Sequence, residues 1–285
     1  MNTALSRPDA VRAGTLPGPV RWVGLALGIT VVLGAVEWAA IAQQLSSVAA
    51  VVAVVAYLLA TAGSFAAAQA FTPGDHLRRA WLFLAAAHLA LAVGRLFWAH
   101  DLLGLPDSAA TTWLRSTATL LSNAGQVTGV VLFALTWRYA GLPWPGSRRE
   151  QVAVASLLAV VSLSVTGPHL VGMAAQAFGG DVYAAAQAVG DACDVAVFLL
   201  ITPVFLTARA FSGGSLAWPF GLLAASNFTW LLVDGLQPYL PSLPSGLGNA
   251  TTALLRTLAC LLLAAAGMSH RSAIRGAGRK GTAPP

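Results

Sequence analysis

AWLFLAAAHLALAVGRLFWAH, Ala80 to His100, is an apolar run long enough to cross a bilayer as a helix. It nevertheless carries His88 and Arg95 and closes on His100 and Asp101. A second stretch, AWPFGLLAASNFTWLLVDGLQPY, Ala217 to Tyr239, echoes it, with Asn227 and Asp234 in roughly the places of His88 and Arg95. One such run holds a cation and the other an anion, at depths where hydrocarbon is expected.

Outward from these stretches the same texture covers the chain. Of its 285 residues 57% are hydrophobic and only 9% charged, and the mean hydropathy is +0.72. A soluble domain carries about one quarter charged residues. Too few polar side chains are present to coat a water-facing surface, so the composition defines an integral membrane protein. Lys280 stands alone beside fifteen arginines, and alanine, leucine, valine and glycine dominate, a bias of GC-rich bacterial genomes.

Eight apolar runs are legible, at about 22–42, 48–71, 80–99, 111–137, 152–175, 183–208, 217–237 and 249–268. Each approaches or exceeds the ~20 residues that a helix needs to span ~30 Å. Alternating strands are not the pattern, and a helix satisfies its own backbone in lipid. The expected fold is an all-α polytopic membrane bundle of eight transmembrane helices.

Arginine placement sets the orientation. Arg7, Arg12 and Arg21 precede the first run, and Arg78 and Arg79 lie in the second connection. Arg138, Arg148 and Arg149 flank the fourth connection, Arg209 opens the sixth, and Arg271, Arg275, Arg279 and Lys280 follow the last run. The odd connections hold no Lys or Arg, and they carry Asp101, Asp107 and Asp181. The positive-inside rule places both termini in the cytoplasm of a bacterial inner membrane. Trp22, Trp81, Trp137, Trp144 and Trp218 fall at the cytoplasmic boundary on this reading, and Trp38, Trp98 and Trp113 toward the other one. The first run is long enough to remain as an anchor, so no cleavable signal is expected.

ARAF (208–211) leading to AW (217–218) echoes AQAF (68–71) leading to AW (80–81), and TTALLR (251–256) echoes TTWLR (111–115). These echoes predict a cytoplasmic tail 1–21, a first four-helix repeat 22–142, a connection 143–150, a second repeat 151–268 and a tail 269–285. Repeats of four helices keep one orientation and are parallel.

Helix geometry places the charges by depth. Arg95 lies fifteen residues into its span, about 22 Å from the cytoplasmic start. Glu37 is equally deep, and Asp234 slightly deeper. Asp191 and Asp194 are three apart and share a helical face in the outer half of span six. Arg115 and Arg256 lie in the first turns of spans that enter from outside. These seven groups cluster in the extracytoplasmic half, and Asn123, Gln187 and Asn227 fall with them or near the centre. A charge in lipid costs several kcal/mol unless paired or hydrated, so the cluster should face a shared interior pocket.

Each has a blander reading. Arg115 and Arg256 can snorkel to headgroups. Glu37 beside Trp38 can be interfacial. Arg95 can pair with Asp234 merely to join the repeats, and His88 can be a packing residue. Thr166-Gly167-Pro168-His169 should break or kink span five near its outer end, and Thr202-Pro203 should kink span six toward the cytoplasm.

The candidate substrate-binding or proton-handling residues are Glu37, His88, Arg95, Asp191, Asp194, Asn227 and Asp234. Arg95 would take a solute's anion, and Asp191 and Asp194 its cation or a coupling proton. No metal site, catalytic motif or cofactor can be named. Cys193 and Cys260 lie in apolar runs without zinc or disulfide spacing. No lysine lies in any span, which excludes a retinal Schiff base, and the phosphate-binding GxxxxGK[ST] pattern is absent. The net charge of +6 belongs to topology and not to nucleic-acid binding. The expected partners are the bilayer and a small solute. The expected function is binding or transport of that solute. A sensor acting through a partner protein and a lipid-modifying enzyme are the alternatives.

Overall fold

The computed structural model describes residues 18–97, 108–139, 141, 146–210, 214–236, 239 and 247–280. Eight long helices account for nearly all of them. They are α1 (Gly18–Ala42), α2 (Ser46–Ala68), α3 (His76–Leu96), α4 (Ala109–Ala134), α5 (Arg148–Phe178), α6 (Val182–Ala210), α7 (Ala217–Leu236) and α8 (Leu247–Lys280). One helical turn, Thr136–Tyr139, extends α4. No strand occurs among the described residues.

Local chemistry sets several helix starts. Asp75 caps α3 by accepting from Leu77 N at 2.8 Å. Ser108 and Thr111 form a reciprocal capping box at α4, and Ser147 accepts from Glu150 N at α5. Such caps satisfy backbone donors that the first turn leaves unpaired. Pro168 does not break α5, which runs as helix to Phe178, and α6 is helical through Pro203.

Six helices are long and apolar enough to cross a membrane: α1, α2, α3, α5, α6 and α8. The other two, α4 and α7, fall short of the eight spans expected by apolar length. α4 carries Arg115, Ser116, Ser122 and Gln126 on its buried side, and α7 carries Ser226, Asn227 and Thr229. Their polarity is turned inward, which lowers the hydropathy of the helix without exposing charge to lipid. The outward faces are apolar, with Val171 70% and Leu121 62% exposed. Apolar surface of this extent suits hydrocarbon and not water.

Sequence neighbours pack together from α1 to α4 and from α5 to α8, and the two halves meet where α8 packs on α1 and α2 and where α4 packs on α6. α5 lies at the edge against α6 and α7, with Ser162 and Thr166 its buried residues. At one end of the bundle Trp22 Nε1 donates to Ser272 Oγ at 3.2 Å, and Arg209 pairs with Glu150. Trp81 is fully buried: its Nε1 donates to His270 Nδ1 at 3.0 Å and its ring meets Phe133 edge-on at 5.0 Å. Trp98 and Trp144 lie outside the described residues.

The segment expected as a tail from 269 continues as helix to Lys280, with Ser269 and His270 buried. Residues 1–17 of the expected N-terminal tail, and 143–145 of the expected connection, lie outside the described residues. Cys193 and Cys260 are unpaired.

Candidate functional site

The polar residues of α4, α6 and α7 converge on two adjoining hollows inside the bundle. The first, about 190 Å³, is lined by Asp191, Asp194 and Asp234, with Ser122, Asn123 and Arg256 among its other polar walls. The second, about 150 Å³, is lined by Arg95, Arg115 and Tyr183. Both include Tyr57, Leu91, Thr119 and Gln187, so the two hollows adjoin along shared walls. Helical spacing explains the convergence. Thr119, Ser122, Asn123 and Gln126 recur at three- and four-residue steps along α4, and Gln187, Gly190, Asp191 and Asp194 do the same along α6.

The acidic wall has internal order. Asp191 Oδ2 and His169 Nδ1 lie 2.8 Å apart, which ties α6 to α5 beside Pro168. Asp194 and Asp234 are hydrogen-bonded to each other across α6 and α7. A carboxylate only accepts, so such a bond needs one proton between the two groups.

The sequence-derived candidates separate into three sets. Arg95, Asp191, Asp194 and Asp234 line the hollows directly. Glu37 and Asn227 support them from behind. Glu37 is fully buried, pairs with Arg256 and accepts from Thr257 Oγ1 at 3.3 Å. Asn227 Oδ1 accepts from Gln126 Nε2 at 3.2 Å, and its own amide donates to Leu223 O at 2.8 Å. His88 joins neither set. It is buried, its Nδ1 lies 3.0 Å from Leu84 O, and it lines neither hollow.

One pairing differs from the sequence reading, and one reading that it left open is resolved. Asp234 meets Asp194 and not Arg95. Arg256 does not snorkel: it turns inward to Glu37. Arg115 is also buried, with both Nε and Nη2 donating to Phe97 O, at 3.2 and 2.6 Å. His100 and Asp101 lie outside the described residues.

Sequence reasoning missed Tyr57 and Trp230, which line the acidic hollow with ring planes 2° apart and centroids 6.4 Å apart. An aromatic in an apolar run carries no mark that separates a wall from a core. Among the described residues no group of three or more His, Cys, Asp or Glu side chains is placed to hold a metal ion. Two larger clefts, about 350 and 410 Å³, are lined almost wholly by apolar side chains on outer helix faces and offer no chemistry.

Fold and site together define an all-helical, largely apolar protein compatible with a membrane bundle and enclosing a charged interior space. No protein family, curated protein or solved structure matches the chain.

Proposed function

We propose that this chain is a multi-pass protein of a bacterial cytoplasmic membrane that binds a small polar or charged solute in its interior hollow, for transport or for sensing. The carrying observation is that side chains of both signs line two adjoining hollows within the bundle. Ionised groups inside a membrane bundle are expensive, and by default they mark a functional path or pocket.

On this reading all eight helices cross the bilayer, including the two with inward polar faces. Both termini then lie in the cytoplasm, as the arginine asymmetry of the connections favours. Two parallel four-helix repeats gain support from the packing. Contacts α2–α3 and α3–α4 are echoed by α6–α7 and α7–α8, and the α2–α8 contact by α4–α6. The α1–α8 contact has no equally extensive counterpart between α5 and α4.

A specific observation keeps sensing beside transport. Below the Gln126–Asn227 bond Trp81, Leu84, Phe133, Phe220 and Leu223 belong to the buried apolar core, and neither hollow reaches any of them. A carrier must open that half, whereas a receptor working through a partner protein need not.

The test is a thermal-shift screen of the full chain in detergent against small polar solutes. Ligand-linked stabilisation follows RT ln(1 + [L]/Kd) and so rises with concentration. A saturable rise supports the reading, and its loss in Asp191→Asn or Arg95→Gln locates the site. Absence of any stabilising solute overturns it. Uptake of the stabilising solute into proteoliposomes identifies a carrier, and binding without uptake identifies a receptor.

A further inference from the structure

We infer that the bound solute is amphoteric, with an ammonium group against Asp194 and Asp234 beside the Tyr57 and Trp230 rings and an anionic group in the adjoining hollow against Arg95 and Arg115. This deepens the solute-binding reading and rests on it.

The acidic wall selects the cationic end. Asp191 already has His169 at 2.8 Å, and Arg256 is committed to Glu37. Asp194 and Asp234 have each other, and no cation lies within ion-pair distance of either among the described residues. With one proton between them they carry one negative charge, which a single ammonium group balances. Uncompensated charge in a bundle interior is costly, so a mobile cation there is strongly held.

The walls favour an organic cation. Tyr57 and Trp230, stacked on each other with ring planes 2° apart, both line this hollow, and aromatic rings attract ammonium groups within about 6 Å of the centroid. The acids do not assemble a metal-type ligand set. Independent of the acids, Ser122 Oγ lines the hollow with 1% of its residue exposed and no hydrogen-bond partner, and Asn123 Nδ2 and Trp230 Nε1 are also without partners there. Buried polar groups are ordinarily bonded, so these atoms mark a place built to receive polar groups.

The second hollow selects the other end. Arg95 and Arg115 line it with Tyr183 and Gln187, and it shares four wall residues with the acidic hollow. A purely cationic solute reaching that far would meet two guanidinium groups. A solute with a carboxylate or phosphate there meets donors suited to it. Spaces of about 190 and 150 Å³ accommodate a molecule of amino-acid size.

The test uses the full chain in detergent with the ω-amino acids from glycine to 6-aminohexanoate. Each is compared with the amine and the carboxylate of matching length, by thermal shift and calorimetric titration. The expected result is that one length of amino acid binds at least about tenfold more tightly than either single-charge analogue. Asp234→Asn should remove the advantage of the amino group, and Arg95→Gln that of the carboxylate. If either variant fails to fold, the three-way comparison on the unaltered chain still decides. Equal binding by the amine alone or the carboxylate alone overturns the amphoteric assignment and leaves the site reading intact. Stabilisation only by neutral polar solutes does the same. Silence from every solute, charged or neutral, overturns the binding reading itself.

Discussion

Arg256 on α8 is ion-paired with Glu37 on α1, and Glu37 is wholly excluded from solvent. The pair joins the first helix to the last and forms the rear support of the acidic hollow, since Arg256 also lines that hollow. Glu37→Gln should therefore destabilise the protein by about 3 kcal/mol, because it leaves a guanidinium buried without its counter-charge. Combining it with Arg256→Met should recover part of that loss. Thermal unfolding of the two single variants and the double variant checks this, and simple additivity would show that the pair carries no coupling.

Asp234 offers a second cycle. The sequence places Arg95 and Asp234 at similar depth and favours their pairing, but Asp234 is bonded to Asp194. Asp194→Asn and Asp234→Asn should thus be non-additive, since either one alone already relieves the demand for a shared proton. Asp234→Asn and Arg95→Gln should add within about 0.5 kcal/mol. The reverse pattern in measured unfolding free energies would restore the Arg95–Asp234 partnership.

These cycles mark where sequence reading stops. Apolar length marks all eight long helices and, except at the end of α8, their limits to within a few residues. Rise per residue sets an expected depth for Glu37, Arg95, Asp191, Asp194 and Asp234. Depth does not give rotation about the helix axis. Whether Arg256 snorkels or turns to Glu37, and whether Asp234 meets a cation or an acid, depends on how helices distant in sequence are turned. α8 outran its apolar stretch for a related reason. Arg271 and Arg275 end the hydropathy signal, but they do not end a helix whose Trp22–Ser272 and Trp81–His270 bonds hold it against α1 and α3.

The mid-span position of His88 makes it a candidate, but its Nδ1 is engaged by Leu84 O, its Nε2 is buried without a partner, and it stands apart from both hollows. His88→Leu keeps a similar volume and removes a polar group from an apolar setting. Its stability change should stay under about 1.5 kcal/mol, and stabilisation by a bound solute should be unaltered. A lost solute response with preserved folding would put His88 back into the site.

The close crossing of α2 and α8 gives the sharpest stability prediction. A Cβ at Gly63 would sit 2.5 Å from Ala264 Cα, and one at Gly267 would fall on the Gly63 carbonyl oxygen. The two backbones are in contact, as small residues allow in membrane helix pairs. Backbone cannot yield as a flexible side chain does, so Gly63→Ala must push the helices apart, at a cost of about 1–3 kcal/mol. α2 carries Tyr57 and α8 carries Arg256, so the same displacement widens the hollow and should weaken solute binding as well. Gly28→Ala on α1 is the matched control. Its Cβ would meet nothing within 4 Å, and alanine's better helix propensity is worth about 0.8–1.0 kcal/mol. Gly28→Ala should therefore be neutral or stabilising in thermal unfolding, with solute binding unchanged. If Gly63→Ala behaves like Gly28→Ala, the α2–α8 contact is looser than described, and Tyr57 and Arg256 are not held to one another through it.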